Sequence, residues 1–136
     1  MKTLIPIFLI FFLLFYGCDN SIDQEELIGR WEVVDFKSNV LISPHIIEGA
    51  KSLALSTSFI FNKDKTFSVV SDYPKKRFGK YQFMKETGTI KLIYNDGISG
   101  GSRINVFTIE SLDGNSMKLS QKIEDSQSNT YWLVKK

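Results

Sequence analysis

The chain has 136 residues, of which 17 are basic and 15 acidic, and 13% of them are aromatic. This length is typical of a single-domain protein, and the near balance of charge argues against the concentrated basic face that nucleic-acid binding requires. The sole histidine, His45, and the sole cysteine, Cys18, offer too few partners for a zinc site or a histidine-based active site. We therefore expect a protein that is not an enzyme and that holds neither a metal nor another cofactor.

Residues 1–17 have the pattern of a secretory signal. Lys2 precedes an uncharged apolar run, Leu4–Phe15, which is too short to cross a hydrocarbon core of about 30 Å comfortably as a permanent helix. Gly17 is a small residue directly before Cys18, and the chain turns polar immediately afterwards. We therefore expect cleavage after residue 17.

The cleavage site resembles the lipobox of bacterial lipoproteins, in which a small residue precedes an obligatory cysteine that becomes acylated. Gly17 and Cys18 match this pattern, whereas Phe15 and Tyr16 depart from the aliphatic and small residues that it prefers. The resemblance implies a lipid on Cys18, and each buried CH₂ of an acyl chain contributes about 0.8 kcal/mol to membrane binding. An uncleaved signal anchor is the alternative. We expect a protein of the cell envelope, anchored by lipid to the outer membrane on its periplasmic face or at the cell surface.

The segment 18–26 is predicted to be a polar tether, and residues 27–136 are predicted to form the folded domain. Acidic residues follow the cysteine at Asp19, Asp23 and Glu25. In lipoproteins of the Bacteroidetes type, acidic residues after the cysteine act as a signal for export to the cell surface. A solvated linker that lifts the domain from the bilayer is the alternative.

Alternation of apolar and polar residues predicts an all-β domain. Between the first two strands, Ser43 and Pro44 favour the start of a short helix or an ordered loop. The basic cluster Lys75–Arg77 is predicted to be a solvated turn, and Asp113–Gly114 is the strongest hairpin signal. The eight predicted strands are Ile28–Phe36, Leu53–Asn62, Thr66–Ser71, Gly79–Met84, Thr89–Tyr94, Ile104–Ser111, Ser116–Ile123 and Thr130–Lys135.

Eight antiparallel strands joined mostly by short turns favour an up-and-down barrel, because closure removes the edges of the sheet. A barrel of this size is either filled by side chains or holds one small ligand. Inward aromatic and aliphatic residues are therefore candidates to line a pocket for an apolar ligand, with filling of the barrel by the same residues as the alternative. The candidates are Phe59, Phe61, Phe67, Tyr81, Phe83, Leu92 and Phe107.

Gly29 and Trp31 form a Gly-x-Trp motif on the first predicted strand, which is similar to the opening motif of lipocalins. That resemblance implies that Trp31 lies at the closed end of the barrel. Lysines stand near the last strand where lipocalins carry an arginine that packs on the tryptophan. The ordered set of motifs resembles the small lipocalin-like lipoproteins of the Bacteroidetes over residues 27–136, and it consists of Gly29-x-Trp31, the hairpin Phe59–Phe67, Gly79-x-Tyr81 and the late hairpin Leu112–Val134.

Two functions are compatible with these features. The first is a lipid-anchored binding protein that holds a small apolar ligand, such as a lipid or fatty acid, inside its barrel. The alternative is a non-catalytic interaction module of the envelope, an accessory subunit or an inhibitor, with a filled barrel. Its rim loops, Lys37–Ser52 and Asn95–Arg103, would then contact another protein. The expected partners are the membrane, through Cys18, and either the ligand or an envelope protein.

Overall fold

The computed structural model describes residues 21–72, 76–95 and 103–136. The predicted signal 1–17, Cys18 and the start of the predicted tether lie outside these ranges. So do residues 96–102 of the second predicted rim loop. Across the described ranges, no helix is long and apolar enough to span a bilayer.

Eight antiparallel strands form a closed barrel in which each strand pairs with its neighbours in the chain and the last strand pairs with the first. A helical turn precedes the first strand, and a longer helix follows it. This architecture confirms the predicted all-β, up-and-down barrel with a short helix between strands 1 and 2. The elements are α1 (Gln24–Leu27), β1 (Gly29–Ser38), α2 (Pro44–Leu55), β2 (Ser58–Phe61), β3 (Thr66–Val70), β4 (Lys76–Met84), β5 (Thr89–Tyr94), β6 (Arg103–Asp113), β7 (Ser116–Glu124) and β8 (Gln127–Lys135).

The prediction that the second strand starts at Leu53 is wrong. Residues 53–55 form the last turn of α2, and β2 begins only at Ser58. Pro44 occupies the start of the helix as predicted, and Ala50 and Ala54, four residues apart, give it a small-residue face toward the core. The helix therefore continues through the alternating residues, and Leu53 remains 43% exposed.

The prediction of a turn at Lys75–Arg77 is also wrong for the residues that the structure describes. Lys76 and Arg77 begin β4, where they pair with Val70 and Val69 of β3. Arg77 therefore shares the inner face with the buried Val69, because side chains of directly paired residues lie on the same face of a sheet. The predicted strand Thr89–Tyr94 matches the observed one, and the remaining strands differ from the observed ones only at their ends.

The core lies inside the barrel, and the hairpins alternate between its two ends. The α1 end comprises α1, the start of β1 and the β2–β3, β4–β5 and β6–β7 hairpins. The α2 end comprises the end of β1, α2, the β7–β8 hairpin and the strand ends at Val70, Lys76, Tyr94 and Arg103. Ile22, just before α1, already packs against the core, so the packed unit starts upstream of the first strand.

Candidate functional site

The α1 end is sealed by a tryptophan. Trp31 is fully buried, and its indole Nε1 donates a hydrogen bond of 2.8 Å to the carbonyl oxygen of Leu27, which is also fully buried. Leu27 is held there by α1, whose first turn is capped when the Asp23 carboxylate accepts a 3.2 Å bond from the Glu25 amide. Both the indole and the helix that covers it are therefore fixed in place.

A lysine lies over this tryptophan. The Nζ of Lys135 is 5.3 Å from the centre of the Trp31 ring and donates to the Glu26 carbonyl at 3.3 Å. Gly29 makes room for it, since a Cβ at Gly29 would lie 2.7 Å from the Lys135 Cε, and Gly29 has a φ of +135°. The missing arginine of the lipocalin motif thus has a cationic substitute. The sequence indicated only a lysine on the last strand, and the pairing of β8 with β1 places it opposite Trp31.

Two polar side chains, those of Tyr81 and Asp64, stabilise the β2–β3 hairpin. The Tyr81 hydroxyl donates a 2.9 Å hydrogen bond to the Asn62 carbonyl, and burial raises the pKa of this tyrosine. The carboxylate of Asp64 accepts bonds from the hydroxyl and the amide of Thr66, and these bonds lower the pKa of Asp64. The aspartate of this motif therefore holds a turn together.

The interior contains a continuous chain of aromatic rings. In order from the α1 end, ring centres are separated by 5.1 Å from Tyr81 to Phe61, 6.4 Å from Phe61 to Phe59 and 5.9 Å from Phe59 to Phe107. It continues through Tyr131 to Phe36, with spacings of 5.9 and 5.1 Å. All seven predicted pocket candidates face this interior; Phe83 is half-buried against the core and the others are buried, namely Phe59, Phe61, Phe67, Tyr81, Leu92 and Phe107.

A layer of polar groups adjoins the rings on the side of the α2 end. Tyr94 is 4% exposed and packs edge-on against Phe67, with ring centres 5.1 Å apart. The Arg77 guanidinium carbon lies 4.1 Å from the centre of the Tyr94 ring, and the Asn105 side-chain amide donates to the Tyr94 hydroxyl at 3.4 Å. Arg77 and Asn105 were missed as site residues. For Arg77, the sequence did contain an indication of its position. Alternate residues of a strand share a face, so Arg77 faces inward together with Gly79 and Tyr81.

Tyr131 belongs to the same layer. Burial raises the pKa of Tyr131, a hydrogen bond from the Asn129 side chain opposes this shift, and the nearby Tyr94 adds to it. Its ring also continues the aromatic chain. Tyr131 therefore joins the polar layer to the apolar interior.

The described residues do not form a metal site or a histidine-centred one. Within 21–72, 76–95 and 103–136, no three His, Cys, Asp or Glu side chains come together as possible metal ligands. His45 is exposed on the first turn of α2.

The outer wall carries two half-open grooves. One, of about 380 Å³, lies over β4 and β5 and includes Phe78 and Ile93; the other, of about 340 Å³, crosses β1, β7 and β8 and includes Lys118 and Trp132. In the second groove, the Lys118 Nζ lies 5.4 Å from the centre of the Trp132 ring. Trp132 is therefore a residue of the outer wall, unlike Trp31.

The fold is similar to that of a lipocalin-like protein from Bacteroides uniformis, with a TM-score of 0.52 and 18% identity over 82% of this chain and 99% of that one. A bovine odorant-binding protein in complex with a selenium-containing odorant gives a TM-score of 0.49 and 21% identity, covering 85% of this chain and 73% of that one. The same bovine protein with its natural ligand gives 0.46 and 21%, covering 85% and 74%. No protein-family model and no curated protein sequence matches the chain. The chain has a lipocalin-like fold.

Proposed function

We propose that this chain is a lipid-anchored binding protein of a bacterial envelope whose barrel takes up a small apolar ligand. The observation that carries the proposal is the interior itself, in which a chain of rings lies next to a polar layer that contains Arg77, Tyr94 and Asn105. Binding sites for small molecules typically combine apolar, aromatic walls with a few polar groups that orient the ligand. The protein acts by binding and not by catalysis.

The ligand enters at the α2 end. The α1 end is sealed by Trp31, Leu27 and Lys135, whereas α2 buries only Ala54 and packs Ala50 against the core. A helix that packs on the core through two alanines has little apolar area to lose when it moves, and its ion pair of Lys51 with Asp35 is partly exposed, so that it adds little. Displacement of α2 thus gives access to the polar layer and the rings behind it.

Native mass spectrometry of the chain purified from its own host tests the proposal. We expect a bound small molecule that is released on denaturation. We also expect uptake of an added apolar probe to fail in Asn105→Trp, because Asn105 is half-buried in the inner polar layer. Val106→Trp is the matched control, since Val106 is the next residue on β6 and is 44% exposed. No bound molecule and no uptake by the unmodified chain would show that the barrel is filled.

The membrane anchor is proposed on the sequence alone, from Gly17 and Cys18 at the end of the apolar segment. We expect radiolabelled palmitate to be incorporated into the chain and lost in Cys18→Ser, with the variant leaving the membrane fraction. A control, Gly17→Ala, keeps a small residue before the cysteine and is expected to be labelled normally. A Cys18→Ser protein that is still processed and membrane-bound would contradict lipidation.

An interaction module is the second candidate function, and exposed apolar side chains at the α2 end favour it. Leu41, Ile42 and Ile46 are 87%, 44% and 58% exposed, and they follow one another on the segment from β1 into α2. Neighbouring exposed apolar residues are typical of protein contact sites. If this function is correct, a partner that co-purifies with the chain is lost in Leu41→Ser combined with Ile46→Ser, while uptake of an apolar probe is unchanged.

A further inference from the structure

A tryptophan on the outer wall of the barrel lies in a groove. Trp132 of β8 is half-buried, and its neighbours Tyr131 and Leu133 pack in the core, so the indole lies on the outer face of the sheet. The groove beside it has a volume of about 340 Å³ and crosses β1, β7 and β8. Part of the indole ring therefore forms a wall of this groove and is accessible to a ligand.

The register of three strands sets the polar walls of the groove. Along β8, Ser128 and Thr130 precede Trp132 on the same outer face. On β7, Lys118 is paired with Trp132, and on β1, Lys37 is paired with Thr130. From the spacing of strands and of alternate residues, these positions span about 10 Å across the strands and about 14 Å along them. The groove is therefore long enough for a disaccharide.

One end of the groove is fixed by hydrogen bonds. The side-chain amide nitrogen of Asn39 donates to the Ser126 carbonyl at 3.2 Å, and the side-chain oxygen of Asn39 accepts from the Ser128 amide at 2.6 Å. The backbone amide of Asn39 also donates to the Ser128 carbonyl at 3.2 Å. These bonds tie the end of β1 to the β7–β8 hairpin, so this wall is ordered before a ligand binds.

The charge of the groove is positive. Among the described residues that line it, Lys37 and Lys118 carry a charge and none is acidic, and neither lysine forms an ion pair with a described residue. Asp35 is paired with Trp132 on the adjoining strand, but its carboxylate lies 3.8 Å from the Lys51 Nζ. The Lys118 Nζ lies 5.4 Å from the centre of the Trp132 ring, and such a contact is weak at the surface. Both lysines can therefore turn to a bound anion.

We propose that this groove binds an acidic saccharide built of uronic acid units, with one sugar ring against Trp132 and the carboxylates paired with Lys37 and Lys118. A sugar ring has a C–H face, which suits the negative face of an indole. Its hydroxyl groups both donate and accept hydrogen bonds, as do the hydroxyls of Ser128 and Thr130. The inference is independent of the proposed function, because the groove lies outside the barrel.

Two-dimensional proton–nitrogen NMR of the purified chain tests this, because its two tryptophans give two indole N–H signals. Digalacturonate should shift the Trp132 signal and leave the signal of Trp31 unchanged, since Trp31 is fully buried and bonded to Leu27. The neutral disaccharide galactobiose should shift the same signal at higher concentration. Adipate, which has two carboxylates and no sugar ring, should shift neither. The signal that disappears in Trp132→Ala assigns the two.

Substitutions separate the contributions of the ring and of the charges. Trp132→Ala should weaken the binding of both disaccharides about tenfold or more. Lys37→Gln and Lys118→Gln should each weaken only digalacturonate binding, by about twofold to fivefold, because these charges are partly exposed. Lys91→Gln is the matched control, since Lys91 lies opposite Val106 on the outer face of β5, away from the groove. It should bind digalacturonate like the unmodified chain.

Three results would overturn the inference. Equal affinities for digalacturonate and galactobiose would show that charge plays no part, and adipate binding as tight as that of digalacturonate would show that the ring plays none. An unshifted Trp132 signal in millimolar digalacturonate would exclude the site itself. If Trp132→Ala does not fold, Lys37→Gln combined with Lys118→Gln decides, because this variant should lose the preference for digalacturonate and a retained preference would contradict the proposal.

Discussion

The two ends of this barrel are stabilised in different ways. At the α1 end, a fully buried tryptophan donates a hydrogen bond to the backbone of α1, and a lysine lies over its ring. At the α2 end, a longer helix buries a single alanine, and Leu41 and Ile46 remain 87% and 58% exposed. Buried area and satisfied polar groups thus fix the α1 end. Among the described residues of the α2 end, the helix buries little apolar area and is tied to β1 by the partly exposed ion pair of Lys51 and Asp35.

Truncation at the two ends gives the largest expected difference. Trp31→Ala should lower the free energy of unfolding by about 3–5 kcal/mol, as is typical for removal of a buried aromatic side chain. Leu41→Ala and Ile46→Ala should each change it by about 0.5 kcal/mol or less, because both side chains are mostly exposed. Urea unfolding followed by far-UV circular dichroism measures all three.

Trp132→Ala serves as the control for losing a tryptophan from the outer wall, where Trp132 lies only half-buried. It should cost clearly less than Trp31→Ala. If truncation at the α2 end proved as costly as Trp31→Ala, the two ends would not differ in the way described.

A smaller effect is expected at Gly29, where backbone conformation and crowding combine. Gly29→Ala should cost about 1–3 kcal/mol, the usual range for a strained residue, since φ is +135° and the new Cβ would meet the Lys135 Cε. Part of this cost should disappear in a Lys135→Ala background, which a double-mutant cycle measures. Gly114→Ala, at φ +41° and with nothing within 4 Å of the new Cβ, measures the cost of an alanine at positive φ without crowding. Equal costs of Gly29→Ala in both backgrounds would show that Lys135 does not crowd this position.

The smallest effect concerns alkaline pH. Tyr81 and Tyr131 have pKa values raised above 10.0, chiefly by burial. Their contribution to stability is therefore complete below pH 10 and is lost as the pH rises from 10 through the pKa values of the folded state, because the unfolded chain releases these protons first.

Thermal unfolding between pH 8 and 11 tests this, and the decline should be shallower in Tyr81→Phe and in Tyr131→Phe. At neutral pH the two variants should differ. Tyr81→Phe should cost about 1 kcal/mol, because it leaves the Asn62 carbonyl without its hydroxyl donor. An unchanged alkaline slope in both variants would assign the decline to other groups.

The barrel was predictable because its determinants are local. Strict alternation and turn residues gave β5 its correct bounds at Thr89–Tyr94, and the order of motifs indicated which face of each strand points inward. The predicted start of the second strand at Leu53 was wrong because the alternation in Leu53–Leu55 also fits the end of a helix that starts at Pro44. What decided between the two was the packing of Ala50 and Ala54 on the core, which involves residues distant along the chain.

The site was harder to predict than the fold. The seven pocket candidates follow from alternation, but the polar layer depends on which strands are neighbours and in which register. Arg77 belongs to the site because β5 places Tyr94 beside it. Lys135 belongs to it because β8 pairs with β1 and brings this lysine opposite Trp31. Alternation indicates which face a charged side chain occupies, but only the register shows which side chains it meets there.

The packing of Ile22 has a consequence for how the protein would sit on a membrane. With the proposed anchor at Cys18, at most about 14 Å of extended chain separates the lipid from the residue that packs on the core. A tether this short would hold the α1 end close to the bilayer, with the α2 end facing the aqueous side. A small apolar ligand would then reach the barrel from solution or from another protein, and not directly from the lipid layer. The protein would then be oriented with its sealed α1 end at the bilayer and its α2 end available to the ligand.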